Sequence, residues 1–279
     1  MSSAQDEDAA AALIEWYADS GVDEAVGAVT QSRFVETAFR ANADTQEPPQ
    51  VFNKQPPSNS QPKRPTTAIF KPTSSPSPDE SVANAREIAQ TCETMDALIA
   101  AIHAFEGCPL KAGARNTVVC DGVIGADLLV IGEAPGADED RLGKPFVGRA
   151  GQLLDRMLAA IGRSRETDTL ISNAIFWRPP GNRTPTKLET EVCRPFVDRL
   201  IELNAPKVIM LAGGAPMQAL LGITGIMRAR GTFREFEAPN GTRFPTLPVF
   251  HPAFLLRQPS HKRLAWEDLQ TLQARLRED

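Results

Sequence analysis

The sequence is poor in cysteine and has no long apolar run. Its 279 residues include four cysteines, and no two of them form a C-x-x-C pair. A disulfide framework is therefore not expected, since a cytosolic chain also keeps its thiols reduced. No apolar stretch approaches the roughly 18 residues needed to cross a membrane. The acidic start MSSAQDEDAA lacks the basic and apolar regions of a secretory signal, so we expect a cytoplasmic protein.

The two common phosphate-binding motifs are also missing. Neither G-x-x-x-x-G-K-[ST] nor G-x-G-x-x-G occurs in the sequence, although it contains 19 glycines. Their absence argues against a small-molecule enzyme such as a nucleotide hydrolase.

Charge is unevenly distributed along the chain. The net charge is −5, yet residues 1–80 carry 12 acids and 6 bases, whereas residues 141–265 carry 19 Lys or Arg against 9 Asp or Glu. A basic segment within an acidic chain is typical of a protein that binds a phosphate backbone. A solvated surface with ordinary variation in charge would give the same counts, and the counts alone favour neither interpretation.

Composition divides the chain into three parts. Residues 1–44 are Ala-rich with helix-like apolar spacing and predict a short helical segment. Residues 45–81 are rich in Pro and Ser and predict a disordered linker, because they cannot bury enough apolar surface to offset the loss of chain entropy. In residues 82–279 short apolar runs alternate with helical stretches. This alternation predicts a three-layer α/β/α domain with a mostly parallel sheet.

In such a sheet the ligand site lies beyond the carboxyl ends of the strands. Four polar or Gly-rich segments fall at predicted strand ends: GEAPG at 132–136, Asn173, AGG at 212–214 and HPAF at 251–254. In the first of these, Gly132 and Gly136 let the backbone approach a ligand closely. The convergence of four segments on one edge indicates a functional site more strongly than any of them alone.

Three side chains at this edge suggest recognition of a nucleobase. Phe146 could stack on a neutral planar ligand, since the surrounding acids would repel a phosphate, or it could belong to the core. Asn173 offers the donor and the acceptor that a base edge requires, although a lone Asn is often a turn residue. His251 precedes FLLR, in which an apolar pair beside a cation resembles a wedge for a base stack. Alternatively, Leu255 and Leu256 begin a buried helical turn.

Three long motifs in fixed order carry a family resemblance: GEAPGADEDRLGKPFVGRAGQLLD, NAIFWRPPGNRTP and HPAFLLR. Over residues 100–275 the chain resembles the family 4 uracil-DNA glycosylases. The resemblance implies a central four-stranded, mostly parallel sheet between helices. It also implies an enzyme that flips deoxyuridine out of DNA and hydrolyses its N-glycosidic bond, leaving an abasic site.

The resemblance assigns roles to the residues at the strand ends. Phe146 would stack on uracil, Asn173 would read its polar edge, and His251 would hydrogen-bond uracil O2 as the anion leaves. Gly132 and Ala134 would complete the uracil pocket. The residues expected to contact DNA are Leu255, Leu256, Arg257, Asn182, Arg183 and Arg149. The implied partner is uracil-containing DNA. We expect the protein to be a monomer that does not associate with a membrane.

The residue that activates water is less clearly marked. Superfamily relatives use an Asp at the position of Ala134, which has no group to orient a water molecule. Glu133 or Glu139 would have to take this role, and we favour Glu139. A catalytically weak protein that binds uracil-containing or single-stranded DNA is therefore the alternative. The basic loop has no histidine of the kind that traps uracil covalently in one relative, so turnover is expected.

Family 4 members typically hold a [4Fe–4S] cluster on four cysteines. Here only Cys108 and Cys193 match ligand positions, whereas Phe105 and Trp177 stand at the other two. Two thiolates cannot hold a cubane that takes four. Cys92 and Cys120 could be recruited, but neither stands at a ligand position. We therefore expect a protein without metal or cofactor, in which Phe105 and Trp177 fill the volume of the cluster.

Overall fold

The structure is a computed structural model that describes residues 77–278. The predicted helical segment at 1–44 and residues 45–76 of the predicted linker lie outside these residues. The first described helix begins at Pro78, because Ser77 forms a capping box with Glu80. The last residues of the predicted linker, 78–81, are therefore helical, which places the start of the folded domain before residue 82.

Residues 77–278 form nine α-helices and six β-strands. The helices are α1 (Pro78–Thr91), α2 (Met95–Ala104), α3 (Ala137–Leu142), α4 (Arg149–Ala160), α5 (Lys187–Asn204), α6 (Gly214–Leu221), α7 (Ile226–Ala229), α8 (Pro252–Arg257) and α9 (Lys262–Leu276). The strands are β1 (Cys120–Gly122), β2 (Leu128–Gly132), β3 (Thr169–Asn173), β4 (Val208–Ala212), β5 (Arg234–Glu237) and β6 (Arg243–Val249). None of these helices is long and apolar enough to cross a lipid bilayer.

The six strands form one sheet in the order β1-β3-β2-β4-β6-β5. The four inner strands are parallel, and the two edge strands pair antiparallel with their neighbours. The prediction of a mostly parallel α/β sheet is confirmed. The implied number of strands was too low, because the short strands β1 and β5 extend the four-stranded parallel centre on both sides.

Two cores cover the two faces of the sheet, as the alternation of side chains along a strand requires. Leu129 and Ile131 of β2 face one core, which contains residues of α1, α2, α5 and α6. Leu128 and Val130 face the other core, which contains residues of α4, α8 and α9. The inner strands are buried on both faces, which explains why LLVIG and VIMLA are continuously apolar.

The carboxyl ends of the parallel strands meet at one edge. Gly132 at the end of β2 pairs in register with Asn173 at the end of β3. On the other side, β4 pairs with β6, so Ala212 aligns with Val249 and places His251 just beyond the same edge. The four segments singled out in the sequence therefore lie at adjacent positions along the sheet edge.

Candidate active site

A cavity of about 490 Å³ opens at the carboxyl edge of the sheet. The loops that follow β2, β3 and β6 contribute its walls. Nine of the residues predicted for the site line it, namely Glu133, Ala134, Glu139, Phe146, Asn173, Asn182, Arg183, His251 and Arg257.

A second groove, of about 620 Å³, lies between α1 and α5. Arg194 pairs with Asp198 there, and Arg199 pairs with Glu202, so much of its charge is neutralised by neighbours. It contains none of the predicted site residues. The cavity at the strand ends is therefore the candidate active site.

Gly132 brings an aromatic ring and an amide together. A Cβ at this position would lie 2.5 Å from the ring of Phe146 and 2.4 Å from Oδ1 of Asn173. Only glycine leaves room for both side chains to approach the end of β2. The pocket therefore has one planar apolar surface and one polar group side by side, the combination that a nucleobase requires.

Asn173 supplies the polar group. The residue is only 2% exposed, yet it lines the cavity. Its carboxamide makes no hydrogen bond to another side chain or to the backbone of residues 77–278, and no enclosed side-chain N or O atom in this range lacks a partner. The amide thus faces the cavity with donors and an acceptor available to a ligand. A turn residue would instead bond its own backbone, so this burial favours the role of a ligand contact.

His251 stands at the other side of the cavity as the N-cap of α8. Its Nδ1 accepts a hydrogen bond from the backbone N–H of Ala253 at 3.1 Å, so the ring proton resides on Nε2. Burial, reinforced by the charge of Arg257 and opposed by Glu139, lowers the pKa of His251 to about 4. The ring is therefore neutral near pH 7, with Nε2–H free to donate. It stacks on Phe146 with ring centroids 5.6 Å apart.

Comparison with known proteins agrees with this geometry. The family model of the uracil DNA glycosylase superfamily matches residues 121–270, which include the whole edge just described. The chain belongs to this superfamily.

Several relatives are type-4 uracil-DNA glycosylases. The protein of Archaeoglobus fulgidus is 38% identical over 172 residues, covering 60% of this chain and 85% of the relative. That of Thermotoga maritima is 35% identical over 182 residues, covering 64% and 92% respectively. A DNA polymerase of Bacillus phage SP01 contains a segment 30% identical over 147 residues, which is 15% of that protein. By its similarity to the first two, the chain is a type-4 member of the superfamily.

The two acidic candidates of this uracil-DNA glycosylase differ in their surroundings. Glu139 binds backbone with both oxygens: Oε1 accepts from the amides of Val147 and Gly148 at 3.0 Å, and Oε2 accepts from Gly136 at 3.1 Å. These bonds hold the loop around Phe146 in place. These three bonds use most of the hydrogen-bonding capacity of the Glu139 carboxylate, so the geometry favours Glu133 over Glu139 as the water-activating residue.

Glu133 has the freer carboxylate of the two. It lines the cavity, and its side chain makes no hydrogen bond within the described part of the chain. Burial raises the pKa of Glu133 above its ordinary value. A carboxylate with an unfilled hydrogen-bonding capacity at the cavity wall can accept a bond from water.

The predicted apolar wedge is only partly available. Leu255 is 1% exposed and packs into the core with α4 and α9, so its assignment as a DNA contact was wrong. Helical geometry explains this: Leu255 lies one turn after His251, on the face that covers the sheet. Leu256 is half-buried against the same core, whereas Arg257 is exposed and lines the cavity.

The loop after β3 supplies the remaining predicted contacts. Arg183 forms a bidentate pair with Glu189, with nitrogen–oxygen distances of 2.6 and 2.9 Å. Asn182 accepts a hydrogen bond from Nε of Arg178 at 2.8 Å. Both line the cavity, while Arg149 is exposed at the start of α4 and lies outside its lining. The arginines of the loop after β3 are thus partly occupied by hydrogen bonds and ion pairs within the protein.

Sequence reasoning missed several residues of the wall. Pro179, Thr184 and Ala253 line the cavity without having been proposed. Pro179 and Thr184 lie within the NAIFWRPPGNRTP motif and Ala253 within HPAFLLR, so position in the motifs was the available signal. Their side chains carry no distinctive chemistry, and only the fold shows that they face the ligand space.

The four positions at which the family resemblance implies cluster ligands belong to one core, but their side chains do not fit a cluster. Phe105 and Trp177 are buried, with ring centroids 6.4 Å apart, and Phe105 also packs edge-on against Phe196 at 5.0 Å. The buried thiols of Cys108 and Cys193 contact each other, and burial raises the pKa of Cys193. Two thiols and two rings cannot replace four thiolates.

The other two cysteines do not complete the set. Sγ of Cys92, the C-cap of α1, donates to the carbonyl of Ile88. Cys120 lies on edge strand β1, where burial raises its pKa to about 11. Among residues 77–278, no three or more Cys, His, Asp or Glu side chains are grouped so as to hold a metal ion.

Proposed function

We propose that this uracil-DNA glycosylase removes uracil from DNA by hydrolysing the N-glycosidic bond of a deoxyuridine turned out of the base stack. The observation that carries the proposal is the convergence of Phe146, Asn173 and neutral His251 on one cavity around Gly132. A base must leave the duplex before its sugar bond is reachable, so a pocket that accepts a single base is what the reaction needs.

Recognition would rest on Phe146 and Asn173. The ring of Phe146 supplies a face on which a planar base can stack. The carboxamide of Asn173 offers a donor and an acceptor together, which complements the N3–H and O4 edge of uracil. Because Asn173 is buried, a base that leaves its polar atoms without partners would bind less well than uracil.

His251 would stabilise the leaving group. Cleavage of the glycosidic bond leaves negative charge on uracil, and Nε2–H of a neutral ring can donate to O2 as this charge develops. The hydrogen bond from Ala253 to Nδ1 fixes the tautomer and ring orientation in advance. A preorganised donor of this kind stabilises the transition state without reorganisation during the reaction.

We assign the carboxylate of Glu133 to the attacking water or to the positive charge that develops on the sugar. Its free oxygens and its position on the cavity wall support this role over that of Glu139. We assign Arg257 and Leu256 to the DNA flanking the extruded nucleotide, with Asn182, Arg183 and Arg149 on the surrounding surface. Cationic side chains beside the cavity favour the phosphate backbone.

A catalytically weak DNA-binding protein of the same fold is the second candidate. Ala134, which has no group to orient water, is the observation that favours it. One assay separates the two: a uracil-containing oligonucleotide is incubated with the protein in EDTA, treated with alkali and resolved on a gel. Strand cleavage at the uracil supports the glycosylase. Tight binding without free uracil or alkali-labile sites would instead support the binding protein.

We also propose that the enzyme acts as a monomer in the cytoplasm. The cavity described here is built from residues of one chain, which supports a monomeric active unit. Sedimentation of the active protein with and without DNA would measure its oligomeric state directly.

A further inference from the structure

Phe146 carries its ring on an unfavourable backbone. Its φ is +52°, in the left-handed region that bulky side chains rarely adopt. The α4 backbone also packs tightly against it, since a Cβ on Gly151 would lie 1.8 Å from the carbonyl oxygen of Phe146. A strained backbone conformation of this kind is stable only when several interactions with the surrounding structure hold it.

Glu139 fixes one side of this segment. As described above, it accepts hydrogen bonds from the amides of Val147 and Gly148, the two residues that follow Phe146. These bonds fix the N–H groups after the strained residue. They leave the carbonyl groups of Pro145 and Phe146 to other partners.

Arg165 fixes the other side. Nη1 donates to the carbonyl of Pro145 at 3.0 Å, and Nη2 donates to the carbonyl of Phe146 at 2.8 Å. Two carboxylates hold the rest of the group: Nη1 also donates to Asp121 at 3.1 Å, and Nε donates to Asp155 at 2.9 Å. Four of the five N–H donors of the guanidinium thus form hydrogen bonds, and Nη2 also lies 2.8 Å from the carboxylate of Asp155 as an ion pair.

We propose that Arg165 is a positioning residue for uracil excision, which sets the ring of Phe146 by holding the carbonyl groups of the strained segment. This inference rests on the proposed function. Arg165 lies outside the cavity lining and acts only through Phe146. Two carboxylates orient the guanidinium, and the guanidinium in turn orients the backbone. Lysine has three donors without the planar fork, so it cannot reproduce both carbonyl bonds and the ion pairs together.

A double-mutant cycle tests the proposal. Single-turnover excision rates are measured for the wild type, Arg165→Lys, Phe146→Ala and the double variant. Arg165→Lys should lower the rate by roughly 10- to 100-fold, the scale of a misplacement of about 1 Å remote from the reacting atoms. In the Phe146→Ala background the same change should lower it by less than about 3-fold, because the two residues act as a unit.

Arg163→Lys is the matched control. Arg163 lies two residues earlier, its side chain is similarly buried, and its ion pair with Asp168 touches neither carbonyl. This variant should excise uracil at about the wild-type rate. Melting curves of all variants show whether the folded fraction is equal. Should the lysine variant not fold, Arg165→Gln takes its place in the cycle.

Equal loss in both backgrounds would overturn the proposal, because it would show that Arg165 acts on the fold as a whole. An unchanged rate for Arg165→Lys would overturn it too. Failure of the wild type to release uracil would instead refute the proposed function. The two failures are therefore distinguishable in one set of measurements.

Discussion

Replacing Trp177 by alanine should lower the free energy of unfolding by about 4 kcal/mol, the middle of the range for emptying a buried aromatic site. The indole is 0% exposed and packs against Phe176 and Phe105, with centroid distances of 5.9 and 6.4 Å. Its Nε1–H donates to Oγ1 of Thr117 at 3.0 Å. The substitution therefore removes both a large apolar volume and a satisfied hydrogen bond.

The size of this loss of stability shows how fully the indole ring of Trp177 is packed. For a domain of this length, each kcal/mol shifts Tm by about 2–4 °C, so Trp177→Ala should melt roughly 8–16 °C below the wild type. Trp177→Phe keeps most of the apolar volume but not the N–H donor. It should lose on the order of 1–2 kcal/mol, the cost of an unmet hydrogen bond together with imperfect packing.

The chain offers a matched control in Trp266, which is 42% exposed on α9. Trp266→Ala should change stability by no more than about 0.5 kcal/mol, as is usual for surface positions. Unfolding in urea is best followed by far-UV circular dichroism, because both variants lose tryptophan fluorescence. If Trp177→Ala proves as stable as Trp266→Ala, the ring is not packed as described and does not fill the space of a cluster.

Four further predictions concern catalysis, the pH dependence of stability, metal content and the N-terminal region. His251→Ala should lower the excision rate by about 100-fold, the scale for removing one preorganised donor, and a wild-type rate would refute its role. Because the pKa of His251 is about 4 when folded and near 6.5 when unfolded, the stability associated with its neutral form is complete above pH 6.5. This stability is lost as the pH falls through 6.5 towards 4, and His251→Gln should remove the dependence in pH-dependent unfolding curves. Protein made anaerobically with ample iron should be colourless without absorbance near 400 nm, whereas the double variant Phe105→Cys, Trp177→Cys should gain both iron and colour; a brown wild type with about four irons per chain would contradict the argument. A chain beginning at Ser77 should keep excision activity on short oligonucleotides, and loss of folding or catalysis would show that residues 1–76 contribute to the domain.

The part of the site that could be predicted from sequence is the part set by strand periodicity. Asn173 ends strand β3 and His251 lies just beyond strand β6. Because parallel strands align their carboxyl ends at one edge, the proximity of these two residues follows from topology. Phe146 required more, because it belongs to the loop between α3 and α4 rather than to a strand end. Its expected role in stacking on the base comes from the family resemblance, which long motifs in fixed order carry.

The sequence was least informative where the partners of a residue come from elsewhere in the chain. In FLLR, either leucine could have faced outward, and only the packing of α8 against α4 and α9 shows that Leu255 faces the core. Glu139 stands among four acids in GEAPGADED, and nothing local shows that the loop folds back to place Val147 and Gly148 over its carboxylate. Short edge strands are similarly hard to recognise, since β1 consists of only Cys-Asp-Gly.

Arg165 shows the same limit of sequence analysis, because its partners also come from other parts of the chain. Its targets lie 19 and 20 residues earlier in the chain, across the whole of α4. In the sequence it is one of several arginines in a basic segment, and its charge alone would suggest a DNA contact. In the fold its side chain is largely covered and is held by four hydrogen bonds and two carboxylates of the protein, so little of it is available to a phosphate. The charge surplus of residues 141–265 therefore overstates the cations that DNA can meet. Arg165 supports the pocket from behind and Arg183 is paired with Glu189, whereas Arg257 is exposed, lines the cavity and lowers the pKa of His251.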